Sequence, residues 1–325
     1  MNDLDTQLVK YLTDAHSIEV QALAQLRKAP DVAGAPELAD AFREHLAETE
    51  RHEQITRDLL AARSAEPSKL KDLVMGFGGK GFLLFARLQP DTPGKLFAHA
   101  LSYEALELAS YELLRRVAEQ ADAPDVVDAA ELIGGQERAM RDRLDGLVDI
   151  AVGAALSAHP RDDVNTLLPK YLADAHAIEE QAIGLLERAP GVVHDPKIAE
   201  VFSSHLVETR RHAASVQGRL EALGGDSSSL KDAAMRLGAL NWASFFRAHP
   251  DTPGKLVAFG FAFEFLEIGG YEQLARVADR AGDAETAKVA RTILGDERAA
   301  AEKLAGVFDE AAAASLEAKG VQSET

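Results

Sequence analysis

The sequence contains no cysteine. Disulfides, a zinc–thiolate site, an iron–sulfur cluster and a cysteine nucleophile are thereby excluded. Aromatic residues are scarce, at 6% of the chain with a single tryptophan, and the aromatic and β-branched runs that favour strands are rare. Basic residues are outnumbered, 35 lysines and arginines against 53 acidic residues, for a formal net charge of −18. Nucleic acid and anionic membranes are poor partners for such a chain, because both need positive charge at the contact. No apolar run approaches the roughly 20 residues that cross a bilayer. The opening residues, MNDLDTQLVK, lack the basic start and apolar stretch of a secretory leader. These absences lead us to expect a cytoplasmic protein with neither membrane nor nucleic acid as partner.

What the sequence does have is itself, twice. Residues 11–19, YLTDAHSIE, return at 171–179 as YLADAHAIE, and 90–96, PDTPGKL, return unchanged at 250–256. One gapless offset of 160 aligns the halves, with roughly four residues in ten identical. The 325 residues therefore divide into two domains, expected at 1–156 and 164–320, with a polar, proline-bearing joint between them. Each half is rich in alanine, leucine and glutamate, which are good helix formers. Four long helices are expected in the first half, at about 4–29, 36–64, 92–121 and 125–154. Pro36, Pro93 and Pro124 suit the first turn of a helix, where a missing N–H costs nothing. Asp91 or Thr92 can cap the third. The connection from about 65 to 90 is long enough for a short extra helix. The expected fold is all-α: two tandem four-helix bundles, each with a long crossover containing a short helix. The glycine-rich run Gly76–Gly81 is not a phosphate loop, since no strand precedes it and its counterpart 236–241 reads RLGALN.

Acids stand where the core should be. Read in a heptad register, the first helix gives the stripe Leu8, Leu12, Ala15, Glu19, Ala22, Leu26. The second gives Leu38, Ala41, His45, Glu48, His52, Ile55, Leu59, and the third Ala100, Glu104, Glu107, Tyr111, Leu114. The fourth gives Val126, Ala130, Ile133, Glu137, Met140, Leu144. Each stripe is apolar except near its middle. A buried ionised carboxylate costs several kcal/mol unless it is paired or binds a metal. No lysine or arginine shares these mid-stripe positions. A pair of divalent cations resolves the conflict, and carboxylate with imidazole suits iron or manganese. The offset repeats the set as Glu179, His205, Glu208, His212, Glu264, Glu267 and Glu297, so one dinuclear site per repeat is expected. His45 and His52 both share the face of Glu48, and either can be the ligand. His16, one step off the stripe, is read as a buried hydrogen-bonding residue near the site. Tyr111 is read first as core packing, with a hydrogen bond to a ligand carboxylate or the carrying of a radical as the other readings.

The run His45-x-x-Glu48-Thr49, followed by Tyr103-Glu104-x-x-Glu107-x-x-x-Tyr111-Glu112, resembles the ferritin-like stress proteins of the YciE/YciF group, the DUF892 family. The resemblance covers each half nearly end to end. It extends more distantly to rubrerythrin and other ferritin-like di-iron proteins. It implies Glu19, Glu48, Glu104, Glu107 and Glu137 as metal ligands, with the equivalent residues in the second half, and a role in stress response. Two departures stand out. Arg51 follows Glu48 at the third position where the distant relatives carry histidine, and Met140 or Ala300 follows Glu137 or Glu297. The third-helix Glu-x-x-Glu offers a replacement ligand. The resemblance also implies that the halves pack as an internal pseudo-dimer. The expected activity is redox handling of metal and oxygen species, of ferroxidase, peroxidase or catalase type. The alternative is a non-catalytic, stress-induced helical scaffold whose metal site is structural or vestigial.

Overall fold

The computed structural model describes residues 3–66, 92–159, 163–191, 193–225 and 252–321. They form two compact units, Met1–His159 and Pro160–Lys319, and no strand occurs among the described residues. The first unit comprises α1 (Asp3–Leu26), the short α2 (Ala29–Val32), α3 (Pro36–Ala62), α4 (Thr92–Gln120), α5 (Pro124–Asp145) and α6 (Val148–Ser157). The second repeats the order as α7 (Val164–Leu186), a 3₁₀ turn at Ala189–Gly191, α8 (Pro196–Ala222), α9 (Thr252–Ala281), α10 (Ala284–Ala305) and α11 (Phe308–Glu317). Among the described residues, no helix is long and apolar enough to cross a membrane.

In the first unit α1 packs against α3 and α4, and α5 packs against the same two. These contacts close a four-membered ring in which α3 and α4 are diagonal, the arrangement a long connection between them requires. The second unit closes the same ring with α7, α8, α9 and α10. Both units are therefore four-helix bundles, in tandem. The short extra helix expected in the crossover, the Gly76–Gly81 run, Trp242 and Asp91 lie outside the described residues. The core between the helices is apolar toward both ends, with Leu12, Leu38, Phe42, Leu101, Leu114, Ile133 and Leu144 fully buried in the first unit.

Two helices are shorter than the pattern predicts, each for a local reason. The first stops at Leu26 because Pro30 removes a donor and its ring would strike the carbonyl four residues back. Pro190 ends α7 at Leu186 in the same way. The fourth breaks after Asp145. Gly146, a poor helix former, is the C-cap, and Leu147 N–H turns back to the Leu144 carbonyl at 2.8 Å. Gly306 and Val307 repeat this break.

Gly34 shows where backbone freedom is required. Its φ is +73°, and a β-carbon there would lie 2.7 Å from Cγ of Pro93. Gly34→Ala is expected to destabilise the first unit by roughly 1–3 kcal/mol, from left-handed strain plus the clash. The equivalent position in the second half is already His194, so His194→Ala should leave the urea midpoint nearly unchanged. Paired urea melts of the two variants check both expectations.

Candidate metal centre

The site of the first unit lies at mid-height of the bundle, and all four of its long helices contribute to it. Glu19 comes from α1, His45 and His52 from α3 two turns apart, Glu104 and Glu107 from α4 one turn apart, and Glu137 from α5. All six are buried, Glu19 and Glu137 completely. Two groups of donor atoms converge there, each with its atoms within 4.8 Å of one another. One is His45, Glu104, Glu107 and Glu137, and the other is Glu19, His52 and Glu137. Glu137 belongs to both. Its Oε1 lies 2.8 Å from Nδ1 of His52, and its Oε2 lies 3.3 Å from Nε2 of His45.

Each histidine is held from behind. Nδ1 of His45 is 3.1 Å from Oε2 of Glu48, and Nε2 of His52 is 2.8 Å from Oε1 of Gln136. A carboxylate and an amide oxygen only accept. Each therefore takes the outer N–H and leaves the inner nitrogen facing the cluster, the arrangement found behind metal-ligating imidazoles. Glu19 is fixed likewise, since Tyr111 donates its hydroxyl to Oε1 at 2.5 Å. Tyr111 is both core packing and a hydrogen-bond donor, so these two of its readings coincide.

The inner atoms have little to satisfy them. Both carboxylate oxygens of Glu107 and both of Glu137, Oε2 of Glu19 and of Glu104, Nε2 of His45 and Nδ1 of His52 are buried and make no well-formed hydrogen bond. Their titration records the strain. Burial pushes the Glu19 carboxyl up to about 8, reinforced by the charge of Glu137. Burial also raises Glu104 to about 8 and Glu107 well above the usual carboxylate range. Burial alone would raise Glu137, but its close contacts with the imidazoles of His45 and His52 and their charge hold it down at about 2. Burial opposes charge on His45, yet its contacts with Glu104 and Glu137 raise its pKa well above the ordinary value. Without a cation the cluster is thus held by protons. Four carboxylates carry as much negative charge as two divalent cations carry positive, and each of the six residues offers a donor atom to one or both converging groups. The residues present fit the group.

The second unit reproduces the arrangement with His205, Glu264, Glu267 and Glu297 as one group and Glu179, His212 and Glu297 as the other. Nε2 of His205 is 3.1 Å from Glu264, Nδ1 of His212 is 2.8 Å from Glu297, and Tyr271 donates to Glu179. Burial raises Glu264 to about 7 and lifts Glu179 and Glu267 well above the usual carboxylate range.

Two of the sequence candidates stand apart from these groups. The Glu48 side chain is 35% exposed and turns its carboxylate to the outer side of His45. Glu208 does the same 3.5 Å from His205 and meets Lys303 at 3.4 Å on its far side. The cause is the register of α3. Its buried seam runs through Leu38, Phe42, His45, Thr49, His52, Thr56 and Leu60, not through Glu48, Ile55 and Leu59. Thr49 and Thr56 tolerate burial because their hydroxyls bond back to the carbonyls of His45 and His52. Both histidines enter the cluster, each in a different donor group.

His16 faces elsewhere. It is buried 2.9 Å from Glu53, which also accepts from Arg57. The second half has Ala213 in place of Glu53. Sequence reasoning missed Glu53, Gln136 and Asp296. The available signal for the last two was their place, immediately before the mid-stripe glutamate of the fourth helix.

A family model described as "Domain of unknown function (DUF892)" matches residues 3–157 and again residues 163–317. No solved structure matches the chain.

Proposed function

Because the chain belongs to the DUF892 family in both of its halves, we propose that each half is a ferritin-like domain, 1–156 and 164–320, holding a dinuclear iron or manganese centre. On this reading the protein handles metal and oxygen species in a stress response of the cytoplasm. The observation that carries the reading is Glu107, whose two carboxylate oxygens are both buried and both without a hydrogen bond. A carboxylate in that state is costly unless a cation meets it.

In the first half His45, Glu104, Glu107 and Glu137 would hold one ion, and Glu19, His52 and Glu137 the other. In the second half the holders would be His205, Glu264, Glu267 and Glu297, with Glu179, His212 and Glu297. Iron or manganese bound there would supply two-electron chemistry toward dioxygen or peroxide. The chain supplies the rest. Glu48 and Glu208 orient His45 and His205 and keep the proton on the outer nitrogen. Tyr111 and Tyr271 fix the rotamers of Glu19 and Glu179. Burial pushes both phenols well above their ordinary pKa, so they stay protonated donors. The apolar ends of each bundle exclude bulk water from the carboxylates.

Peroxide consumption by the iron- or manganese-loaded chain tests the reading. It is expected to exceed that of the same concentration of free metal, and to fall to the free-metal rate in Glu107→Ala/Glu267→Ala. A loaded protein that consumes no more peroxide than free metal would overturn the enzymatic reading and leave a scaffold with a structural metal.

A further inference from the structure

The two halves keep the same candidate ligands but not the same ground beside them. In the first half a cavity of about 20 Å³ lies against Glu104, lined by Gln25, Phe42, Leu96, His99 and Tyr103 among others. That volume admits about one water-sized molecule. Three of these residues are polar. Nε2 of Gln25 is buried with no hydrogen-bond partner among the described residues, a donor left for an occupant to meet. Tyr103 is fixed by donating its hydroxyl to the Ile18 carbonyl at 3.0 Å. The His99 ring lies 6.1 Å from that of Tyr103, and its apolar surroundings push its pKa down to about 4, so it is neutral.

The offset of 160 turns each of these polar residues apolar. Leu185 replaces Gln25, Phe259 replaces His99 and Phe263 replaces Tyr103. Ala100, also on the cavity wall, becomes Gly260, where a β-carbon would come within 3.2 Å of the Phe202 ring. The ring thus stands close to the helix backbone at that position. The outer hold on the second histidine also differs. His52 leans on the neutral Gln136, whereas Nε2 of His212 lies 3.1 Å from the carboxylate of Asp296, itself paired with Arg211 at 3.0 Å. A carboxylate behind an imidazole makes it a stronger donor to a metal.

We propose that the repeats have divided their labour: the cavity beside Glu104 is a subsite for a diatomic or water-sized ligand of the first metal pair, while the second half holds its metal behind an apolar wall as a structural centre. The assignment rests on the reading that both halves bind metal. Gln25 offers the amide donor, and Glu104 is the boundary between the cavity and the candidate ligands.

Nitric oxide, a diatomic probe of ferrous iron, tests the division. The intact chain is loaded with Fe(II) without oxygen, its iron is quantified, and it is titrated while the visible absorption of iron–nitrosyl is followed. The band is expected to saturate with about half of the bound iron reacted. The triple variant Gln25→Leu/His99→Phe/Tyr103→Phe, which installs side chains the second half already uses in the same fold, is expected to keep its iron and lose the band. Full reaction of all bound iron, or a triple variant that still gives the band, overturns the proposal while leaving metal binding intact. A chain that binds no iron overturns the metal reading and the proposal together.

Discussion

A chain carrying Glu137→Ala and Glu297→Ala is expected to bind almost no iron or manganese, and the unaltered chain is expected to bind about four ions, two per proposed dinuclear site. Each of these glutamates belongs to both donor groups of its half, with one oxygen toward each histidine, as the 2.8 Å and 3.3 Å contacts of Glu137 show. Removing one shared carboxylate would take a donor from both groups of its half at once. Any other single ligand belongs to only one group, so Glu19→Ala with Glu179→Ala should leave roughly half the metal. The informative contrast is Glu48→Ala with Glu208→Ala. These carboxylates touch the outer nitrogens of His45 and His205. Their loss should weaken affinity by about 10–100-fold without changing the stoichiometry at saturating metal. Metal per chain, measured by mass spectrometry after equilibrium dialysis, separates the cases. If Glu48→Ala with Glu208→Ala empties the protein and Glu137→Ala with Glu297→Ala does not, the ligand set is wrong.

That contrast also marks how far the sequence could be read. The acids at mid-stripe, the imidazoles beside them and the repeat at 160 were all visible, because a buried charge breaks an apolar pattern conspicuously. The register of α3 was not. A heptad drifts against 3.6 residues per turn, and the true seam is continued by Thr49 and Thr56, which a polar–apolar alphabet counts as surface. Once those threonines bond back to the helix they behave as core, and Glu48 is carried to the flank. Gln136 and Asp296 carried only the weak signal of standing next to a mid-stripe glutamate. They differ between the halves, and each meets a histidine 84 positions away, a pairing that no local periodicity encodes. The helix breaks at Gly146 and Gly306 were within reach, since glycine inside a helical pattern is a known weak point. The divergence around the cavity was in plain view too, in the pairs His99 and Phe259, Tyr103 and Phe263. Only the packing of α1 against α4 reveals that Gln25 faces the same space.

Removing the metal is expected to reverse the way stability depends on pH. In the absence of a cation, Glu19 and Glu104 titrate near 8 and Glu264 near 7, against an ordinary value of 4.5. A carboxyl whose folded pKa is raised binds its proton more tightly folded than unfolded. Its contribution is complete below 4.5 and is lost as pH rises through 7 to 8. His205, raised from 6.5 to about 9 by Glu264 and Glu297 against its burial, acts in the same sense. Glu137, lowered to about 2, has the opposite sign, but its contribution is lost only below the ordinary carboxylate range. Between about pH 5 and about pH 8, then, the melting temperature of chelator-treated protein should fall as pH rises. Cations require the same carboxylates ionised, so proton and metal compete for one set of atoms and the loaded protein should grow more stable over that window. At metal concentrations about a thousandfold above Kd, linkage contributes about 4 kcal/mol, which for domains of this size corresponds to a rise of roughly 10 °C. Thermal melts across the window, with chelator and with Mn(II), should therefore diverge toward alkaline pH. Chelated protein that instead gains stability with pH would mean that these glutamates are ionised and balanced by some other charge, and the argument from buried acids to bound metal would lose its premise.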